Sequence, residues 1–231
     1  MIPLHDDNPT SITPVITVAF IAACVLVFLW QIGQGPIAQE QVIYALGMIP
    51  AVLFGKAHLD PEVMRVAPIL TLITSMFMHG GWMHLLGNML FLWIFGNNVE
   101  DAMGHKRFVL FYLLCGLAAA MAQALPDPSS TIPMVGASGA ISGVLGAYLL
   151  LYPRARVLVL IPLGVFTQLV RLPAIWVLGL WFVIQLLSGA ASAGSRGGVA
   201  FGAHIGGFLA GMALIPLFRY PHHRLFNPFR P

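Results

Sequence analysis

Long apolar runs separated by short polar breaks dominate this chain. A helix that crosses a bilayer needs about 20 mostly apolar residues, and the segments at roughly 14–32, 81–99, 107–124, 138–152, 173–189 and 200–218 meet or approach that length. The fourth is short for a span unless it sits inside the bundle. A further apolar stretch, 157–170, is bounded by Arg156 and Arg171 and interrupted by Pro162 and Gly164. It is too short to cross and is expected to lie at the interface. The pattern predicts an all-α, polytopic membrane protein: one bundle of six transmembrane helices forming a single domain over 1–231. The connection over about 33–80 is long, and its half-apolar part around Met48–Phe54 is expected to lie flat on the membrane surface.

Composition strengthens this reading. Of the 231 residues, 58% are hydrophobic and only 8% charged, against roughly 25% charged in a soluble domain, and mean hydropathy is +0.87. The acidic residues all lie in the first 127 positions, ending at Asp127. With the N-terminus inside, the cytoplasmic connections hold Lys106, Arg107, Arg154, Arg156, Arg171, Arg219, Arg224 and Arg230, and the external ones Lys56, Arg65 and Arg196. That asymmetry predicts both termini in the cytoplasm. The pI near 9.1 therefore reflects topology. There is no basic stripe for nucleic acid, and no phosphate-loop lysine in the glycine-rich 136–146 for a nucleotide. Cys24 and Cys115 fall inside apolar runs and read as packing residues. The first 14 residues carry no Lys or Arg, so the first apolar run is expected to be a retained helix and not a cleaved signal.

Polar residues inside such runs are costly and point to function. In the predicted orientation the second, fourth and sixth spans run from outside to inside. Near their starts stand His79, His84 and Asn88, then Ser138, then His204. Similar distances into parallel helices give similar depths, so the three sets meet at one level below the outer surface. His84 and Asn88, four apart, share a helix face. Gly139, Gly143 and Gly146 form a small-residue stripe on the fourth span, continued on the sixth by Gly202 and Gly206, while His204, Gly207 and Gly211 share a face of the sixth. Such stripes let membrane helices approach closely, which brings Ser138 within reach of His204. A serine needs a base before it attacks a carbonyl, and imidazole has the right pKa. Asn88, His84 and the backbone N–H of Ser138 could stabilise the developing oxyanion. No carboxylate follows Asp127, and Glu100 and Asp101 lie at the far end of the second span, so the arrangement is a dyad.

These residues resemble the motifs of the rhomboid family. Gly136-Ala137-Ser138-Gly139 is similar to its GxSG nucleophile motif, Ala203-His204 with Gly207 and Gly211 to AHxxGxxxG, and His79, His84 and Asn88 to HxxxxHxxxN. The resemblance covers about 70–215. It implies an intramembrane serine endopeptidase in which Ser138 attacks a peptide bond of a transmembrane protein substrate, His204 transfers protons and His84 and Asn88 line the oxyanion site. Substrate would enter sideways from the lipid bilayer between the second and fifth spans, with Trp176, Trp181 and Phe182 as gate candidates. The compact form resembles bacterial members, implying the plasma (inner) membrane with the site toward the outer face. Two positions depart from the family pattern. Leu70 and Thr71 stand where many members have a Trp–Arg pair, with Arg65 as a loose substitute. Ser142 stands where an aromatic often packs on the catalytic imidazole, leaving His204 without an identified support.

Blander readings remain beside this one. Ser138 alone could be a packing residue, and His204 alone a proton relay. His79, with Gly136 and Gly139 in support of the site, is expected to cap the helix or point into the outer loop. His79 and His84, five apart, diverge too far round a helix for a metal pair, so neither a metal nor another cofactor is expected. His5, His58, His105, His222 and His223 read as solvated surface. The competing functions are a catalytically inactive rhomboid-like protein that binds membrane clients, and a small transporter.

Overall fold

The computed structural model describes residues 1–163, 166–192 and 199–226. Arg196, Arg230 and Gly164, invoked above, lie outside them. A short strand β1 (Ile2–Asp6) leads into helix α1 (Val15–Gly33). The long connection carries α2 (Pro36–Leu46), α3 (Pro50–Leu53) and α4 (Thr71–Thr74), the last flanked by 3-10 turns at Pro68–Leu70 and Ser75–Phe77. Then come α5 (Trp82–Met103), α6 (His105–Ala124), α7 (Ser138–Leu151), the strands β2 (Arg156–Leu163) and β3 (Phe166–Pro173), and finally α8 (Ala174–Ala191) and α9 (Phe201–Phe218).

The protein is mostly helical, and each of the six expected spans is a helix. Four of them, α1, α6, α8 and α9, are each long and apolar enough to cross a membrane; α5 qualifies only together with the preceding Pro68–Phe77 segment, which meets it at 79°. α7 has 14 residues, about 21 Å of rise against a hydrocarbon core of about 30 Å. It can be that short because it lies inside: the chain is buried continuously from Gly139 to Tyr148, walled by α5, α6, α8 and α9. The outer helices have the opposite pattern. α1 turns Thr17, Cys24, Phe28 and Gln31 inward and leaves Val15, Val18, Leu26 and Leu29 exposed, an apolar surface suited to lipid. Cys24 and Cys115 are both buried free thiols, as expected.

The α7–α9 contact is made backbone to backbone. A methyl group built on Gly207 would strike the carbonyl oxygen of Gly139, one on Gly211 that of Gly143, and one on Gly146 that of Phe208. The stripe on α9 is not the one expected from its spacing. Gly202 and Gly206 face Gln123 and Ala122 of α6, so α9 uses Gly207 and Gly211 against α7 and its other small residues against α6.

Other differences trace to non-local pairing. The described residues of the 157–170 stretch form two antiparallel strands, with Val159 opposite Val170, and β1 adds a third antiparallel strand on β2. Val157 and Val159 are fully buried, the period-2 alternation of a one-sided strand. Tyr148 of α7 donates to Asp6 Oδ2 at 2.6 Å, tying the sheet to the bundle; burial lifts the Asp6 carboxyl to about 6, with that bond opposing. Met48, Ile49, Pro50 and Ala51 are buried by the rest of the chain, with Met48 bridged to Met134, while Phe54 at the end of the segment is exposed.

Glu100 and Asp101 are inside α5, which runs four residues past its expected end. α1 has no side-chain cap of its own. Glu100 supplies one from across the bundle, accepting from the N–H groups of Ile16 (2.9 Å) and Thr17 (2.8 Å) and from the Thr17 hydroxyl (2.7 Å), where the helix dipole also favours an anion. His105, exposed as expected, sets its Nδ1 2.6 Å from the same carboxylate, whereas His223 is buried beside the Tyr152 hydroxyl and is not the surface histidine expected. The segment after α9 returns to this end of the bundle, with Tyr220 N–H on Ala102 O and Phe226 N–H on Leu150 O. Residues 2–6 and 220–226 thus lie on the same face.

The helix contact yields a paired prediction. Gly211→Ala sets a methyl against a backbone carbonyl that cannot move aside, and is expected to destabilise the bundle by about 1–3 kcal/mol. Gly179→Ala on α8 enters open space and is expected to change stability by less than about 0.5 kcal/mol. Unfolding midpoints in detergent check both.

Candidate active site

A cavity of about 220 Å³ is walled by α5, α7, α8 and α9; its lining includes His84 and Asn88 from α5, Ser138 from α7, Trp181 from α8 and His204 from α9. The structure thus brings together the four residues that the sequence placed at one depth.

Ser138 is the first residue of α7. The first N–H groups of a helix have no partner within it, so the Ser138 backbone N–H and those just after it stand next to the serine hydroxyl. The turn leading in is held by Gly136, whose N–H donates to Ser75 O at 2.9 Å. Gly136 has φ of +125°, a left-handed conformation that L side chains rarely adopt. A Cβ there would also come within 2.6 Å of His84 Nε2. Glycine is required on both counts, and the same geometry sets the His84 ring against the turn that carries Ser138.

Hydrogen bonds fix each imidazole. Gly80 N–H donates to His84 Nδ1 at 3.4 Å; Nδ1 therefore accepts, and the hydrogen of the neutral ring is on Nε2, the atom beside Gly136. His204 is the reverse. Its Nδ1 is 2.7 Å from Gln185 Oε1, an atom that only accepts, so Nδ1 carries the hydrogen and Nε2 of the neutral ring is bare. One ring can donate into the cavity and the other can accept a proton there.

Asn88 is buried and its Nδ2 is 3.0 Å from His79 Nε2. His79 Nδ1 lies 3.3 Å from Phe77 O, which assigns its hydrogen to Nδ1 and leaves Nε2 to accept from Asn88. The second hydrogen of the Asn88 amide is then free for the cavity that Asn88 lines. His79 is fully buried and does not point into the outer loop as expected. Gln31 of α1 clamps its backbone, donating to His79 O at 2.9 Å and accepting from His79 N–H at 3.1 Å.

Ser142 donates to the Ser138 carbonyl at 2.6 Å. The rings around His204 come from Trp181 of α8, 5.9 Å between centroids, and Phe201 of α9, 6.4 Å. Of the gate candidates, Trp181 lines the cavity, Phe182 stacks on Phe208 at 4.4 Å, and Trp176 is exposed. Three residues at the site escaped the sequence reading: Gln31, Gln185, and Gln123, whose Oε1 accepts from the Ala203 N–H at 3.2 Å. A glutamine in an apolar run is the signal that could have found them. Among the described residues no group of three His, Cys, Asp or Glu could hold a metal.

Residues 67–221 match the rhomboid domain. The chain is 34% identical over 166 residues to RHOMBOID-like protein 5 of Arabidopsis thaliana, covering 68% of this chain and 47% of that protein. It is 33% identical over 201 residues to the rhomboid protease GluP of Bacillus subtilis, covering 87% and 35%. It is 30% identical over 192 residues to Rhomboid protein 1, mitochondrial, of Saccharomyces cerevisiae, covering 75% and 52%. With its apolar helices and this match, the chain is an integral membrane protein that belongs to the rhomboid family. It spans between about a third and a half of the length of these relatives. Relatives named mitochondrial and chloroplastic are among them, so family membership does not by itself fix the membrane.

Gly136→Ala is expected to cost about 1–3 kcal/mol of stability through the left-handed backbone alone, and to displace His84 from the turn. The variant should fold with a lowered unfolding midpoint in detergent and lose reactivity at Ser138 toward a fluorophosphonate probe by at least about 10-fold. Full reactivity would mean that the Gly136–His84 approach is unimportant.

Proposed function

We propose that this protein is an intramembrane serine endopeptidase that cleaves transmembrane segments of membrane proteins through a Ser138–His204 dyad. The observation that carries the proposal is one cavity lined by a serine at a helix start, an imidazole whose Nδ1 bond leaves Nε2 bare and an imidazole whose Nδ1 bond leaves the hydrogen on Nε2.

Ser138 Oγ attacks the peptide carbonyl while its proton passes to His204 Nε2. The carbonyl oxygen becomes an oxyanion, stabilised by His84 Nε2–H, the Asn88 amide and the N–H groups at the start of α7. Collapse breaks the C–N bond, and the imidazolium returns its proton to the departing amine. Water, deprotonated by His204, then attacks the ester; Ser138 recovers its proton as the ester bond breaks, and the acid product leaves. No metal or other cofactor takes part. His79 and Gln31 keep Asn88 aimed, while Gly136 and Gly139 let the turn and the helices close up.

The partners are transmembrane protein substrates in the lipid bilayer, entering from the α5–α8 side, where the cavity wall includes the exposed Met83. The distribution of Lys and Arg supports cytoplasmic termini and a site toward the outer face, and we assign the chain to a bacterial plasma membrane as one rhomboid domain. An inactive, client-binding member would not need two imidazoles held in complementary tautomers about one serine.

The test is labelling of the purified, detergent-solubilised chain with a fluorophosphonate probe. The wild type should label, and Ser138→Ala and His204→Ala should fold but not label. Asn88→Ala is expected to react about 10- to 1000-fold more slowly. A folded wild type that does not label would favour the client-binding protein.

A further inference from the structure

The sequence leaves the orientation of His204 unexplained, and one buried polar group on α8 is not used by the dyad. We infer that Gln185 is a positioning residue for His204, holding its Nδ1–H so that the ring keeps a bare Nε2 turned toward Ser138; α8 would then complete the site as a third member. This rests on the reading of Ser138 and His204 as nucleophile and base.

α8 is a peripheral helix whose neighbouring positions Val183, Ile184, Leu186 and Leu187 are exposed and apolar, whereas Gln185 is only 8% exposed. An amide turned inward from an apolar helix must find partners, and this one finds one at each end. Its Nε2 donates to the Trp181 carbonyl one turn earlier, at 3.5 Å, which leaves Oε1 facing the ring, 2.7 Å from His204 Nδ1. Trp181 also lays its own ring 5.9 Å from the imidazole. Residues four apart on one helix face thus supply both the hydrogen bond and the packing.

Among the described residues, Gln185 is the one side chain hydrogen-bonded to the ring. Ser142 is committed to the Ser138 carbonyl, and no carboxylate follows Asp127 in the sequence. A neutral amide also suits the place. It fixes a tautomer as a carboxylate would, without burying a charge whose desolvation nothing here offsets. A purely structural role, one polar contact between α8 and α9, is the competing account; it would move the unfolding midpoint and leave the tautomer of the His204 ring unchanged.

The experiment uses the full chain in detergent and compares wild type, Gln185→Leu, Gln185→Glu and Gln185→Asn. The readouts are the second-order rate of fluorophosphonate labelling at Ser138, the unfolding midpoint, and the nitrogen-15 spectrum of the His204 ring. Loss of the Nδ1 partner should slow labelling of Gln185→Leu about 10- to 100-fold with little change in midpoint. Gln185→Glu, which keeps an acceptor at the same reach, should label within about threefold of wild type, while Gln185→Asn, one methylene short, should be slow. The spectrum should place the hydrogen on Nδ1 in wild type and shift it toward Nε2 in Gln185→Leu. If Gln185→Leu does not fold, Gln185→Asn carries the test. Ser138-dependent labelling as fast in Gln185→Leu or Gln185→Asn as in wild type would overturn the Gln185 assignment alone. A folded wild type that does not label at Ser138 would overturn the dyad and this assignment with it.

Discussion

Everything at the site depends on how closely α7 and α9 approach. Lipid is as apolar as leucine, so no hydrophobic force drives two helices together inside a bilayer, and close backbone packing has to serve instead. Here the carbonyls of Gly139 and Gly143 lie where methyl groups on Gly207 and Gly211 would be. Ser138 directly precedes the first of these contacts on α7, and His204 stands three residues before Gly207 on α9. One methyl group between the helices would move Ser138 and His204, the proposed nucleophile and base, apart, and displacements of about 1 Å can cost on the order of 100-fold in rate. The glycines are the frame of the site, and the reactive groups hang from it.

Around that frame several buried polar groups satisfy one another. Gln31 of α1 holds the His79 backbone, His79 holds Asn88, Gln123 of α6 caps the start of α9, and Gln185 of α8 meets His204. Glutamine suits this work, since it offers a donor and an acceptor at the end of a reach long enough to cross a helix contact, and brings no charge into the membrane. The buried carboxylates are at the other end, where Glu100 caps α1 and Asp101 accepts from Ser11.

What was legible in the sequence, and what was not, follows from the range of the interactions. The six helices and the shared depth of His84, Asn88, Ser138 and His204 came from local hydropathy and spacing, because an apolar run in lipid has few options besides a helix. The sheet was missed because the alternation of Val157 and Val159 is masked by a run that is apolar throughout, and because β1, one of the two strands that flank β2, lies about 150 residues away in the chain. The sequence named Gly207 and Gly211 as packing residues but also gave Gly202 and Gly206 to the α7 contact, because all four read as small and spacing alone does not say which neighbour each one faces. Gln185 was passed over as one polar residue in an apolar run. Its partner is a side chain on another helix, which no local pattern records.

The central claim is that the chain cuts peptide bonds within a membrane-embedded segment through Ser138. Its most direct test is reconstitution into liposomes with a panel of single-span fusion proteins, the products being mapped by mass spectrometry for wild type and a folded Ser138→Ala variant. The account predicts cuts inside the transmembrane segment of at least one fusion, toward its outer end, and none with Ser138→Ala. Cuts that persist without the Ser138 hydroxyl, or that fall only in the water-exposed parts of the fusions, would contradict it.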